Sequence, residues 1–391
     1  MSLNDKENKH VIGYGILCYF IFMLPGYANV RADERSEEVL GHLILQRFSV
    51  AKGGDFLLVP VRIEGRDRLF VVDTGFARTA FDSSLPLGKA RGVFRLETVQ
   101  GVVEKTLYEP PSATVGHLPF RVNGSIVAFD MQPLREASGC PIEGILGMDF
   151  LGKYVLHIDF DGGELYFLEA APPDAGREFS IAWRPGEVPT ILAEISGSGR
   201  GSFVIDTGGL SFNEANLEIL RARDLARKGE LQWIGPTEGG VTAGGAFTGQ
   251  MYRGKRLDLG GFSFANPVFV EAAQSSLGLN LLSRFTVTFD FPKQKLFLRK
   301  GDRYNRPPLI NTSGLSLNSK EGVVVIDSVE PGTPSEKSGV RVGDVLLELE
   351  GLEVGKASLF ALRSALCKKG QLDCFVRRGD QKLRFSIVPK R

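Results

Sequence analysis

The feature that most constrains this chain is a seven-residue stretch that occurs twice. The first copy runs from Leu69 to Gly75 and the second from Ser202 to Gly208. In each copy, an apolar run typical of a buried strand leads directly into Asp-Thr-Gly. One such Asp is typical of a surface turn, where its side chain bonds to the nearby backbone. Two copies instead predict that the fold brings two carboxylates together. When two carboxyl groups are too close for both to ionise, they share one proton.

The repetition extends beyond these seven residues. Each copy is preceded by a second apolar run and a turn, which is the pattern of a β-hairpin. Downstream, Gly147 stands 12 residues before Asp159, and Gly278 stands 12 residues before Asp290. Unrelated turns would not keep this register. The sequence therefore predicts a duplicated β unit that carries one Asp in each copy.

These motifs resemble those of the pepsin and retropepsin family of aspartic proteases, over roughly residues 41–299. That family has a later apolar-apolar-Gly element, which Ile145-Leu146-Gly147 matches. The resemblance implies two β lobes that face each other across a cleft, with water as the nucleophile. It implies that Asp73 and Asp206 are the catalytic carboxylates, and that the Thr and Gly after each Asp support the site. These supporting residues are Thr74, Gly75, Thr207 and Gly208.

The second half departs from the family pattern at Ser276-Leu277-Gly278, where two apolar residues before the Gly are usual. This departure bears on how the second carboxylate is tuned. The resemblance also implies a β-hairpin flap near Thr98–Lys105. Apolar residues spaced among Arg and Glu predict one helix in the second half, over Asn213–Arg227.

The charge balance gives no sign of a nucleic-acid partner or of an anionic membrane partner. The 391 residues include 47 basic and 46 acidic side chains, for a net charge of +1. The histidines and cysteines form no HExxH or CxxC motif, so we expect neither a metal site nor a cofactor. The Gly-Xaa-Ser-Xaa-Gly element of serine hydrolases is also absent from the sequence. Cys140, Cys367 and Cys374 are too few for a disulfide framework; a Cys367–Cys374 pair and buried thiols both remain open.

Residues 1–28 are predicted to be a secretory signal peptide rather than part of the fold. Lys6 and Lys9 precede an apolar run from Val11 to Leu24. Gly26-Tyr27-Ala28 then offers small residues at the spacing that signal peptidase requires. The run is shorter than the about 20 residues of a membrane-spanning helix. Export, to a bacterial periplasm or the extracellular space, is our first expectation, and an uncleaved membrane anchor is the second.

Residues 310–390 resemble a PDZ domain of bacterial exported proteases. Pro334 stands five residues before Gly339-Val340, and Gly343-Asp344-Val345 follows, as in those domains. The resemblance implies that an extended peptide binds as an added strand, its terminus held by backbone N–H groups of the preceding loop. The assigned peptide-binding residues are Gly314, Leu315, Ser316 and Leu317. The alternative is that the two leucines simply pack the core.

The predicted fold class is therefore mainly β. Two pseudo-symmetric lobes, residues 39–170 and 177–300, are followed by a small α+β PDZ domain. The function implied is that of an exported, monomeric aspartic endopeptidase, with the PDZ domain recruiting peptide or protein substrates. The alternative is a non-catalytic scaffold that binds peptides in a protease-like cleft and in the PDZ domain.

Overall fold

A computed structural model describes residues 40–98, 101–122, 124–209, 215–236, 240–242, 245–247 and 249–388. The predicted signal peptide, with its alternative as a membrane anchor, lies outside these ranges. The chain divides into a unit that ends at His42 and a compact unit from Leu43 to Arg391, which contains every strand found in the described ranges. Within the described ranges, no helix combines the length and apolarity that a membrane crossing requires.

The predicted mainly β fold is confirmed, with strands as the dominant regular structure. The elements of the first half are β1 (Ile44–Ser49), β2 (Leu58–Ile63), β3 (Arg66–Val72), β4 (Ala80–Asp82), β5 (Ala90–Thr98), β6 (Gly101–Tyr108), β7 (Ala113–Val115), β8 (Leu118–Pro119), β9 (Ile126–Phe129), α1 (Gln132–Ser138), β10 (Ile142–Leu146), α2 (Met148–Leu151), β11 (Val155–Asp159) and β12 (Glu164–Leu168).

The elements of the second half are β13 (Arg177–Ser180), β14 (Thr190–Ile195), β15 (Gly199–Ile205), β16 (Ala215–Glu218), α3 (Ile219–Arg227), β17 (Leu231–Pro236), β18 (Gly240–Thr242), β19 (Gly245–Phe247), β20 (Gln250–Gly254), β21 (Arg256–Leu259), β22 (Phe262–Ala265), β23 (Val268–Ala272), β24 (Ser276–Leu277), α4 (Leu279–Leu282), β25 (Phe285–Asp290) and β26 (Lys295–Lys300). Those of the last part are β27 (Leu315–Lys320), β28 (Val323–Val329), α5 (Pro334–Ser338), β29 (Val345–Leu349), β30 (Leu352–Glu353), α6 (Leu359–Leu366), β31 (Leu372–Arg378) and β32 (Gln381–Ile387).

Two nine-stranded sheets have the same strand order and form the two lobes. Lobe 1 has the order β5-β6-β9-β4-β10-β3-β2-β7-β8, and lobe 2 has the order β17-β20-β23-β16-β24-β15-β14-β21-β22. In each lobe, the strand that precedes Asp-Thr-Gly lies parallel to the strand that precedes the later Gly, β3 with β10 and β15 with β24. The predicted pseudo-symmetry of the two lobes is therefore confirmed.

A third sheet joins the two halves and is here called the base sheet. Its order is β1-β12-β11-β25-β26-β13, so each half contributes three strands. The halves meet where β11 pairs antiparallel with β25, with His157 opposite Thr288. Buried apolar side chains of both lobes and of the base sheet form one continuous core, rich in phenylalanine.

The last part of the chain is a separate sheet with its own core, here called the third unit. Its strand order is β27-β28-β29-β31-β32, with β30 paired to β29, so β27 is an edge strand. Helix α6 packs against β27. Leu315 and Leu317 lie in the core of this unit, together with Leu362 and Leu366 of α6. The edge strand and this helix thus border the place where an added strand would lie.

Two local predictions have different outcomes. Strands β5 and β6 form an antiparallel hairpin where the flap is predicted. The predicted helix over Asn213–Arg227 is too long, because Ala215–Glu218 is the strand β16, paired in parallel with β23. The helix begins only after Glu218, whose side chain accepts hydrogen bonds from the N–H groups of Leu220 and Arg221 and so caps its N-terminus.

Candidate active site

Two central strands bring Asp73 and Asp206 to the junction of the lobes. Asp73 follows β3, and its N–H donates to the carbonyl of Leu146 at 3.0 Å. Asp206 follows β15, and its N–H donates to the carbonyl of Leu277 at 2.9 Å. In each lobe, the neighbouring parallel strand thus holds the backbone N–H of the Asp at the start of the turn. The two carboxyls therefore occupy equivalent positions in the two lobes.

Thr74 and Thr207 bind the two turns to each other by a reciprocal set of hydrogen bonds. The Thr74 hydroxyl donates to the carbonyl of Ile205 at 2.6 Å, and the Thr207 hydroxyl donates to the carbonyl of Val72 at 2.7 Å. Each hydroxyl also accepts from the other threonine's backbone N–H, at 3.0 and 3.1 Å. Both threonines have no exposed surface. Because buried hydroxyls are strongly destabilising without partners, this set fixes the position of one turn relative to the other.

The glycines allow the close approach of the two turns. Gly75 N–H donates to Asp73 Oδ1 at 2.8 Å, and Gly208 N–H donates to Asp206 Oδ1 at 2.9 Å. A Cβ atom at Gly75 would lie 2.5 Å from Oδ1 of Asp206, and one at Gly208 would collide with the carboxyl of Asp73. Each glycine therefore lies against the carboxyl of the opposite lobe, and neither position accommodates a larger residue.

The two carboxyls form one titrating pair. Burial raises the pKa of Asp73 well above its usual range, and the neighbouring charge of Asp206 raises it further. Burial also raises the pKa of Asp206, and a hydrogen bond joins the two carboxyls. This is the arrangement in which one proton is held between two groups and the site contains an acid and a base together. Both aspartates are half-buried residues, unlike the fully buried threonines behind them.

Ser276 does not disturb the second lobe. Its side chain is buried, and its hydroxyl accepts a hydrogen bond from Asn216 Nδ2 at 3.0 Å. A polar residue where the family pattern has an apolar one is therefore paired with a partner on the neighbouring strand β16.

Sequence reasoning missed a second layer behind Asp73. Thr79 donates to Asp149 Oδ1 from its N–H at 2.9 Å and from its hydroxyl at 2.6 Å. The same hydroxyl accepts from the N–H of Gly147 at 3.2 Å. Asp149 thus holds the turn at Thr79 against the end of β10, which in turn holds Asp73. The signal was present in the sequence, since an acidic residue two positions after Gly147 follows a buried strand.

The predicted peptide-binding residues lie away from this pair, in the third unit. Leu315 and Leu317 are 1% and 2% exposed, so their side chains pack the core. The loop N–H groups already have partners: Ser313 N–H donates to Asn311 Oδ1, and Leu315 N–H donates to the Ser313 hydroxyl. The groups of this stretch that could bind a peptide are therefore the backbone N–H and C=O groups along the edge of β27, and not its side chains.

Other catalytic groups are scarce near the pair. No cluster of His, Cys, Asp and Glu suited to a metal ion occurs within the part of the chain that the structure describes. His157 is buried in the base sheet, where its Nδ1 lies 2.7 Å from the hydroxyl of Thr288. His42 and His117 are exposed. Cys140, Cys367 and Cys374 form no disulfide with one another, so the alternative of a Cys367–Cys374 disulfide does not occur.

Two curated proteins are similar to part of this chain, and no family model matches it. Serine protease HTRA1 of Xenopus laevis is 32% identical over 69 residues, which is 18% of this chain and 14% of that protein. Serine protease HTRA3 of Mus musculus is 31% identical over 67 residues, which is 17% of this chain and 14% of that protein. The chain spans about a seventh of the length of the curated relatives it matches.

These matches contradict the predicted membership in the pepsin and retropepsin family, because both relatives are named serine proteases. The predicted aspartic endopeptidase activity is contradicted by the same finding, whereas export stays a prediction. The reason lies in what the motif encodes: paired Asp-Thr-Gly turns specify where two carboxylates meet. Their geometry by itself assigns neither a family nor the bond that is broken.

Proposed function

We propose that Asp73 and Asp206 form an acid–base site in which the two carboxyls share one proton. The observation that carries this proposal is the reciprocal hydrogen bonding of Thr74 and Thr207, which holds the two half-buried carboxyls in contact. The ionised carboxylate of the pair can take up a proton from a bound group, while the protonated one donates a proton to an oxygen on which charge develops. Hydrolysis is the class of reaction that such a pair supports.

We further propose that the ligands are peptide or protein chains. Two features support this ligand class: the relatives are named proteases, and the third unit presents β27 as an edge strand. An edge strand binds an extended peptide through its backbone groups. We assign this role to Gly314–Leu317, and we keep residues 39–170, 177–300 and 310–390 as the proposed domain boundaries.

A serine-type peptidase is the second candidate, and the names of the two relatives favour it. Such chemistry needs a histidine beside a serine hydroxyl. Of the three described histidines, His157 has Thr288 as its hydroxyl partner and is buried, whereas His42 and His117 lie exposed. The two candidates therefore make different predictions for the carboxylate pair.

The test is a hydrolysis assay of the full chain and two variants, Asp73→Asn and Asp206→Asn. The assay uses a peptide library, casein and a set of ester substrates between pH 3 and pH 8, and a fluorophosphonate probe labels any activated serine. We expect each variant to lose turnover by at least about 100-fold, because general acid–base catalysis contributes about 10²–10⁴-fold. Asp67→Asn, which changes an exposed carboxylate near the start of β3, is the matched control and should keep full turnover.

Two results would contradict the proposal. One is turnover near that of the unchanged chain in either variant, given a normal melting temperature. The other is turnover that the fluorophosphonate probe abolishes while it labels a serine, which would support the second candidate. The class of bond follows from which substrates are hydrolysed.

A further inference from the structure

The backbone edge proposed to receive a peptide is already occupied by side chains. Asn311 Nδ2 donates to the carbonyl of Leu315 at 2.7 Å, and the Leu315 N–H donates to the Ser313 hydroxyl at 3.1 Å. The carbonyl of Leu317 accepts from Arg363 Nη2 at 2.6 Å and from its Nε at 3.1 Å. These are groups of alternate residues on an edge strand, so an added strand would need them.

Lobe 1 lies directly against this edge. Helix α1 packs against β27. Three contacts tie its C-terminal end and the nearby Asp55 to helix α6. Ser358, which caps the N-terminus of α6, donates to Asp55 Oδ2 at 2.8 Å. A Cβ atom at Gly139 would lie 3.0 Å from Cβ of Leu359.

The third contact is Arg363, which links the two parts through one guanidinium. While its Nε and Nη2 hold the carbonyl of Leu317, its Nη1 donates to the carbonyl of Ala137 at 2.7 Å. Ala137 is in the last turn of α1, where carbonyls lack partners within the helix and a cation is favourable. The same side chain therefore caps a helix of lobe 1 and covers the peptide-binding edge of the third unit.

We infer that the last turn of α1 is an internal occupant of the peptide-binding edge of β27, with Arg363 as the latch. An extended peptide segment that adds to β27 must take over the carbonyl of Leu317 and so displaces Arg363. Displacement also releases the carbonyl of Ala137 and the end of α1. The inference rests on the proposed peptide-binding role of Gly314–Leu317 and is independent of the chemistry at the carboxylate pair.

The consequence reaches lobe 1 because α1 leads into β10 after three residues. Strand β10 ends beside Asp73, whose N–H it holds through Leu146. By linkage, whatever loosens the end of α1 favours peptide binding, and peptide binding loosens α1 by the same free energy. The hydrogen bond from Ser358 to Asp55 adds a second connection between lobe 1 and the N-terminus of helix α6.

The test compares the full chain with Arg363→Gln and, as a matched control, Arg384→Gln. Arg384 lies in β32 at the opposite edge of the same sheet and pairs with Asp373 in an exposed ion pair. Hydrogen–deuterium exchange should become faster in Gln132–Ser138 and Leu315–Lys320 of the Arg363 variant alone. Fluorescence anisotropy should show that a short fluorescein-labelled peptide with a free C-terminal leucine binds this variant about tenfold more tightly than the unchanged chain.

Asp55→Asn provides a second release, because it weakens the bond from Ser358 and removes a negative charge that attracts Arg363, while it leaves the hydrogen bonds of Arg363 in place. It should change exchange and affinity in the same direction. Exchange in both segments that matches the unchanged chain in folded Arg363→Gln and Asp55→Asn would overturn the inference. So would equal peptide affinity, or no binding to any of the proteins. Neither readout involves turnover, so a failure here is distinct from a failure of the acid–base site.

Discussion

The raised pKa of Asp73 lowers the stability of the fold at neutral pH. Its pKa is raised by burial and then by Asp206, so the folded chain binds a proton more tightly than the unfolded chain does. Between the unfolded pKa of about 4 and the raised folded value, stability therefore falls as pH rises. Below about pH 4 both states are protonated, and this difference disappears.

We expect Asp73→Asn to raise the melting temperature at pH 7, because the amide stays neutral and cannot repel Asp206. A gain of about 1 kcal/mol corresponds to a rise of about 2 °C in a chain of this size. The gain should fade as the pH falls to about 4. Thermal melts at half-unit pH steps measure it, with Asp67→Asn as the exposed control. A variant that melts lower at every pH would show that the carboxyl stabilises the site instead.

Thr207, like Thr74, joins the lobes through two hydrogen bonds of its buried hydroxyl. Thr207→Val keeps the shape but leaves the Val72 carbonyl and the Thr74 N–H without partners. Each buried group without a partner costs about 1–3 kcal/mol, so we expect a loss of about 2–4 kcal/mol in the free energy of unfolding. Thr190→Val, on a half-buried site of β14, is the control. Equal losses in denaturant titrations of the two variants would contradict a special role for Thr207.

The turns at these residues could be predicted because Asp, Thr and Gly each meet a specific steric or bonding need. The position of Asp149 after a buried strand was a signal, but its role could not be predicted, because its partner Thr79 is 70 residues away in the chain. The sequence alone makes Ser276 a departure that bears on the second carboxylate, but its partner Asn216 lies on a different strand. Pairings across such separations leave no local pattern in one sequence.

Strand β11 carries a second pH-dependent group, of opposite sign to the first. Burial, and then the charge of Arg299, lowers the pKa of His157 to about 4 from its usual 6.5. The unfolded chain takes up a proton in this interval and the folded chain does not. Stability is therefore complete above about pH 6.5 and is lost as the pH falls toward 4.

We expect His157→Gln to remove most of this acid sensitivity while the amide still bonds to Thr288. A depression of this size corresponds to about 3 kcal/mol between the two pH limits. Urea titrations at pH 7, pH 5.5 and pH 4.5 measure the slope, with the exposed His117→Gln as control. A slope that is unchanged in His157→Gln would mean that other groups cause the acid loss.

The start of α3 shows why the boundary of an element is harder to predict than its presence. Leu217 continues the apolar spacing of the helix, and this predicts an earlier start. Parallel pairing with β23 overrides that spacing up to Glu218, where the cap fixes the first turn. Tertiary pairing thus decides where the helix begins, and periodicity alone does not.

For the whole molecule, the internal repeat was enough to predict two lobes of matching strand order. It could not predict how the third unit attaches, because that attachment depends on Asp55, Ala137 and Arg363, far apart in the chain. Each of these residues reads as an ordinary surface or helix residue in the sequence.

The base sheet joins the two halves of the chain in the way that a shared sheet joins the subunits of a dimer. Strands β1, β12 and β11 come from one half and β25, β26 and β13 from the other, so no strand pairing depends on the linker around Pro172 and Pro173. The reciprocal threonine bonds are likewise contacts between halves. Within one chain, each half can therefore differ in sequence while the pairing is kept, as Ser276 with Asn216 illustrates in lobe 2.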